Sequence, residues 1–243
     1  MFNPMETSNP LLKRAGSFSG TAEAETMNLN GTVHKTGILL LICMATAAYA
    51  WVTPELQGGV LFVPALGGFV LAMVAIFKPA TSPFTAPMYA ACEGLLLGAI
   101  SAMYNAKYPG IAANAVLLTF SVLGLFLFLY ATRIVKVTNG MMVAIVAATG
   151  GICVVYLIDM VLRIFGHGVP FINSSGPLGI GISVLICGIA AFNFFLDFAS
   201  IEGSIRAGAP KYMEWYSGLA LLITLVWLYL EILRLLSKLQ SRR

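Results

Sequence analysis

Of 243 residues, 59% are hydrophobic and only 10% charged, against about 45–50% and 25% in a soluble domain, and the mean hydropathy is +0.89. These values exclude an ordinary water-soluble fold and predict an all-α, polytopic membrane protein. The formal charge of +4 is small and its basic residues sit mostly at the ends of apolar runs, which excludes nucleic-acid binding and marks them as topology signals.

Residues 1–32 are rich in Asn, Ser, Thr, Gly and Glu, a composition that buries too little apolar surface to offset ordering entropy. They predict a mobile polar tail preceding a transmembrane domain over 33–243. With no long apolar run in that tail, no cleavable signal is expected, and the first spanning helix does the targeting. Apolar runs then follow at 37–51, 59–77, 87–104, 111–131, 141–165, 178–199 and 216–236. Measured against the ~20 residues a spanning helix needs, they predict seven helices. Breaks fall at Thr53-Pro54, Lys78-Pro79 with Pro83, Tyr108-Pro109-Gly110, Thr138-Asn139-Gly140, Gly176-Pro177 and Gly208-Ala209-Pro210. The long connections are expected at 166–177, which has the composition of a loop dipping back into the membrane, and at 200–215. Cys43, Cys92, Cys153 and Cys187 lie inside apolar runs without metal-ligand spacing and read as small packing residues.

A cytoplasmic N-terminus collects Lys13, Arg14, Lys35, Lys78, Arg133, Lys136, Arg206 and Lys211 on one side and leaves Lys107 and Arg163 on the other. Arg234, Lys238, Arg242 and Arg243 conflict with that count, because an odd number of spans places them outside. The third run carries Ala90, Gly94, Gly98 and Ser101 at helical spacing, a face along which another backbone can approach closely. In the sixth, Ser183, Cys187, Ala190, Asn193 and Asp197 recur every three or four residues, predicting a polar strip that either lines a path or seats a neighbouring helix.

Carboxylates inside hydrocarbon are costly and face the protein interior or water. Four are expected here. Asp159 and Glu231 each have an arginine one turn along, Arg163 and Arg234, and read as structural pairs. Glu93 and Asp197 fall at similar depths toward the N-terminal side and are candidates to meet, sharing a proton or, with Asn193 and water, holding calcium weakly. Glu202 and Arg206, with Glu214, read either as a gate network or as a solvated loop face.

Asn9-Pro10, Glu93-Gly94-Leu95-Leu96-Leu97-Gly98, Tyr108-Pro109-Gly110-Ile111, Leu196-Asp197-Phe198 through Ile201-Glu202, and Ala209-Pro210-Lys211-Tyr212-Met213-Glu214-Trp215-Tyr216 resemble the Bax inhibitor family in its bacterial branch. The resemblance implies a seven-helix bundle with the last helix central, acting as a pH-sensitive calcium leak in the bacterial inner membrane. In that family an aspartate of the sixth helix pairs with one in the seventh. The first lands on Asp197. Matching the Leu228-Tyr229-Leu230-Glu231 run puts the second at Glu231, whereas aligning the helix ends through Leu233-Arg234-Leu235-Leu236 puts it at Thr224 or Leu225. An arginine of the second helix that locks some members closed has no counterpart here beyond Lys78.

Two functions compete. One is a cation leak, predominantly calcium, built on Asp197 with Glu93 or Glu231. The other is a non-conducting regulator that binds a membrane protease or other membrane proteins. Intramembrane catalysis is not expected, because no GxSG serine or paired YD and GxGD motifs occur and His34 and His167 are placed outside the spans. No lysine lies in 216–236 to hold retinal. No cofactor is expected, apart from calcium as a transported or weakly bound ion.

Overall fold

The structure, a computed structural model, describes residues 25–56, 61–169, 172 and 174–242. Among the described residues seven α-helices follow in order: α1 Leu29–Val52, α2 Phe62–Phe77, α3 Ser82–Lys107, α4 Ile111–Ala131, α5 Asn139–Ile164, α6 Pro177–Arg206 and α7 Met213–Gln240. Six of them are long and apolar enough to cross a membrane; α2, at 16 residues, is shorter, about 24 Å at 1.5 Å per residue. The chain is a polytopic membrane helical bundle.

The breakers act where the sequence places them. Pro54 follows Thr53 at the end of α1, Gly110 adopts φ 83° before α4, and Pro177 opens α6. The Thr138 hydroxyl accepts the Met141 N–H at the start of α5. Between α6 and α7 the connection is far shorter than the expected 200–215, because α6 runs unbroken to Arg206 and α7 begins at Met213.

α7 is the hub. It packs against α1, α3, α4 and α6, and half of its most apolar window is buried, against 6% for α5 at the rim. Leu222, Leu228, Ile232 and Leu233 of α7 join Phe194 and Phe198 of α6 in the core. Water-driven apolar burial adds little between helices in lipid, so close packing carries more of the stability. α3 shows it directly: a Cβ on Gly94 would overlap Thr46 and the Cys43 carbonyl, and one on Gly98 would overlap the Ala47 carbonyl. The small-residue face is therefore where the α1 backbone lies.

The expected boundary between residues 32 and 33 falls inside α1. Residues 1–24 of the expected tail lie outside the described residues, but 25–32 are built into the bundle. Met27 is buried, its N–H donates to the Ala209 carbonyl at 2.7 Å, and the Lys211 N–H donates to the Glu25 carbonyl at 3.0 Å. α1 also starts eight residues ahead of the run at 37, so His34, expected outside the span, lies in its second turn.

Candidate functional site

Asp197 stands nine residues before the end of α6 at Arg206, about 14 Å in along the helix, and Thr224 eleven residues after the start of α7, about 16 Å in. The depths match, and the Thr224 side chain lies beside the Asp197 carboxyl. The second carboxyl oxygen, Oδ2, is shielded from solvent and meets no donor. Removing an oxygen from water without giving it a partner costs on the order of 1–3 kcal/mol, which makes this a place that favours a proton or a cation. Thr224 is one of the two positions, with Leu225, that alignment by helix ends gives for a partner of Asp197.

The other residues expected beside Asp197 are elsewhere. Glu93 lies beside Tyr89, one turn away, and against Gly68 of α2. α3 packs on α1, α2, α4 and α7, and α6 on α1, α4, α5 and α7 but not on α3 to a comparable extent, so equal depth does not bring Glu93 to Asp197. Asn193 turns to α5, its Nδ2 donating to Thr149 Oγ1 and to the Ile189 carbonyl, both at 2.9 Å. The expected calcium set of Asp197, Glu93 and Asn193 is thus spread over three helix contacts. No group of three or more His, Cys, Asp or Glu placed to hold a metal occurs among the described residues.

Glu231 sits seven residues beyond Thr224 on α7, about 10 Å away along the axis. Its Oε1 accepts the Tyr156 hydroxyl at 2.7 Å and lies 3.2 Å from Arg234 Nη1, which also donates to Tyr156. Asp159 Oδ2 meets Arg163 Nε at 2.8 Å, and its Oδ1 accepts the Val169 N–H at 2.7 Å. That bond tethers the 166–177 connection, of which 170, 171 and 173 lie outside the described residues.

Lys238 was read only as a topology marker. Its buried ammonium donates to the Ile172 carbonyl at 2.6 Å, the Gly179 carbonyl at 3.1 Å and Ser183 Oγ at 2.7 Å. Ser183, the far end of the polar strip, is therefore occupied by a cation. Residues 231, 234 and 238 are three and seven apart, one face of a helix, and that spacing was the available signal. A cavity of about 680 Å³ at this end is lined by Lys107, Arg163, Arg234 and Lys238 with Asp159 and Tyr156.

At the opposite end Glu202 binds Arg133 at 2.5 and 3.1 Å, Arg206 at 2.5 Å and the Tyr130 hydroxyl at 2.5 Å. The Glu202 hydrogen bonds raise the Arg133 guanidinium further above its ordinary pKa, so it stays charged. Glu214, by contrast, is fully buried rather than solvated.

A family model described as Bax inhibitor 1 like matches residues 9–241. The chain belongs to the Bax inhibitor 1-like family. A search of curated proteins and one of solved structures each returned no match. In this Bax inhibitor-like bundle the chemistry on offer includes a shielded carboxyl between α6 and α7, with charged networks at both ends.

Proposed function

We propose that this Bax inhibitor-like protein is a pH-sensitive cation leak, carrying mainly calcium, in which Asp197 is the ion and proton site. The observation that carries the reading is the buried Asp197 Oδ2, which has no hydrogen-bond partner and sits beside Thr224 of α7. Such a carboxyl takes either a proton or a cation, so acid competes directly with the ion. Oxygen donors, carboxylate and hydroxyl, suit calcium, with water completing its six to eight ligands. The role is non-enzymatic and needs no cofactor.

The bacterial inner membrane with a cytoplasmic N-terminus is the proposed setting. Lys78, Arg133, Lys136, Arg206 and Lys211 gather where α1 begins. Arg234 and Lys238, which conflicted with that orientation, are held by partners within the fold. The test is calcium entry into dye-loaded vesicles holding the purified chain: entry that falls with acid and is lost in Asp197→Asn supports the leak.

A second reading, a non-conducting regulator of a membrane protease or other membrane proteins, is favoured by one observation. Lys238 and Arg234 occupy the end of the bundle opposite the N-terminus of α1, a cationic barrier to metal ions. Silent vesicles, with partner capture from native membranes, would support it.

A further inference from the structure

One side of α7 is open between α1 and α4. The opening is an apolar groove of about 660 Å³ whose walls include Val33, Gly37, Leu127 and Phe198. A second apolar space of about 470 Å³ continues it toward the other end of the bundle, and the two share Leu40, Leu222 and Leu225. Water has too few polar partners on such walls to be held there. An empty groove would forfeit the dispersion contacts of every wall atom. In a bilayer, hydrocarbon fills it.

The mouth of the groove has a different character. Tyr130, Arg133, Glu202 and Arg206 form it, and Lys136 joins Arg133 and Arg206 in an adjoining pocket of about 260 Å³. Three cations there face one carboxylate. Side-chain exposures of 58% for Arg133 and 73% for Arg206 leave both guanidinium groups accessible beyond what Glu202 covers. Arg133 also adopts φ 56°, the left-handed conformation in which a helix end favours Gly or Asn. An arginine stands where the backbone would prefer glycine, and its side chain lines the groove mouth.

We propose that this groove binds an anionic phospholipid, with the phosphate at Arg133, Lys136 and Arg206 and an acyl chain running along α7 past Gly37 and Leu225. Apolar length and a cationic mouth occur together here, which matches one amphiphile and neither a free ion nor a neutral lipid. The site does not depend on ion conduction and holds for either orientation in the membrane.

The test reconstitutes the full chain in phosphatidylcholine nanodiscs doped with phosphatidylglycerol, releases it into mild detergent and counts retained lipids by native mass spectrometry. Phosphatidylglycerol should be retained in preference, and Arg133→Gln and Lys136→Gln should each reduce that preference about fivefold. Lys136 is exposed, so its variant keeps the test valid should Arg133→Gln unfold. Gly37→Phe projects into open space and should lower retention of both lipids at unchanged thermal stability. Equal retention of the two lipids, unaltered preference in Lys136→Gln, or displacement of phosphatidylglycerol by inorganic phosphate would overturn the proposal.

Discussion

The Glu214 carboxylate of α7 accepts the main-chain N–H of Asn28, 186 positions away in the chain, at 3.2 Å. Asn28 is the N-cap of α1, and its own side chain accepts the Gly31 N–H at 2.7 Å. In a capping box the third helical residue supplies the carboxylate that reaches back to the N-cap N–H. Here that residue is Gly31, and Glu214 fills the space its side chain would take. A second helix completes the cap of the first. With Lys211 3.5 Å away, the carboxylate also ties the α6–α7 connection to the start of α1.

Gly31→Ala is therefore expected to destabilise the bundle by about 1–3 kcal/mol through overpacking, and Glu214→Ala by a similar amount through the lost buried acceptor. Thermal unfolding in detergent reads both. Because the new methyl enters the space Glu214 vacates, the double variant should lose less than the two singles combined; strict additivity would show that the two residues act independently.

The α1–α3 contact gives a second stability test. Gly98→Leu drives a side chain into the Ala47 carbonyl and should cost about 1–3 kcal/mol. Gly124→Ala, with nothing within 4 Å of its Cβ, should be neutral or stabilising by up to about 1 kcal/mol. Equal melting temperatures for the two variants would contradict the close approach.

Lys238→Met removes the donor to the Ile172 and Gly179 carbonyls and to Ser183. The expected loss is about 1–3 kcal/mol, the cost of leaving buried acceptors unpaired. Hydrogen exchange should rise at Ile172 and at the start of α6. Unchanged protection there would show that the lysine does not fasten this connection.

Much of the fold was legible because it follows from local periodicity. The seven apolar runs became seven helices, the glycine face of α3 received a backbone, and the i,i+4 and i,i+3 spacings of Asp159–Arg163 and Glu231–Arg234 produced ion pairs. Depth along a helix was legible too, which placed Asp197 level with Thr224. The direction a residue faces around the bundle was not. Glu93 and Asp197 share a depth yet face different helices, and only the packing around α7 decides that. The partners of Glu214 and Lys238 were hidden for the same reason, because Asn28 and Ile172 are distant in sequence.

Glu93 supplies a control on the ion site. Its carboxyl lies beside Tyr89 and is set against α2, so Glu93→Gln should leave calcium flux within about twofold of wild type, less than 0.5 kcal/mol on the scale of tenfold per 1.4 kcal/mol. A loss as large as that of an Asp197 variant would return Glu93 to the site.

The most direct test of the central claim is calcium flux into vesicles, measured across pH for the wild type and for Asp197→Asn. A proton on Asp197 removes the negative charge that draws the cation, so wild-type flux should fall as the medium is acidified. Asp197→Asn should reduce flux on the order of tenfold, about 1.4 kcal/mol of lost cation stabilisation, and flatten the pH profile. Undiminished flux with an unchanged pH profile in Asp197→Asn would contradict the assignment.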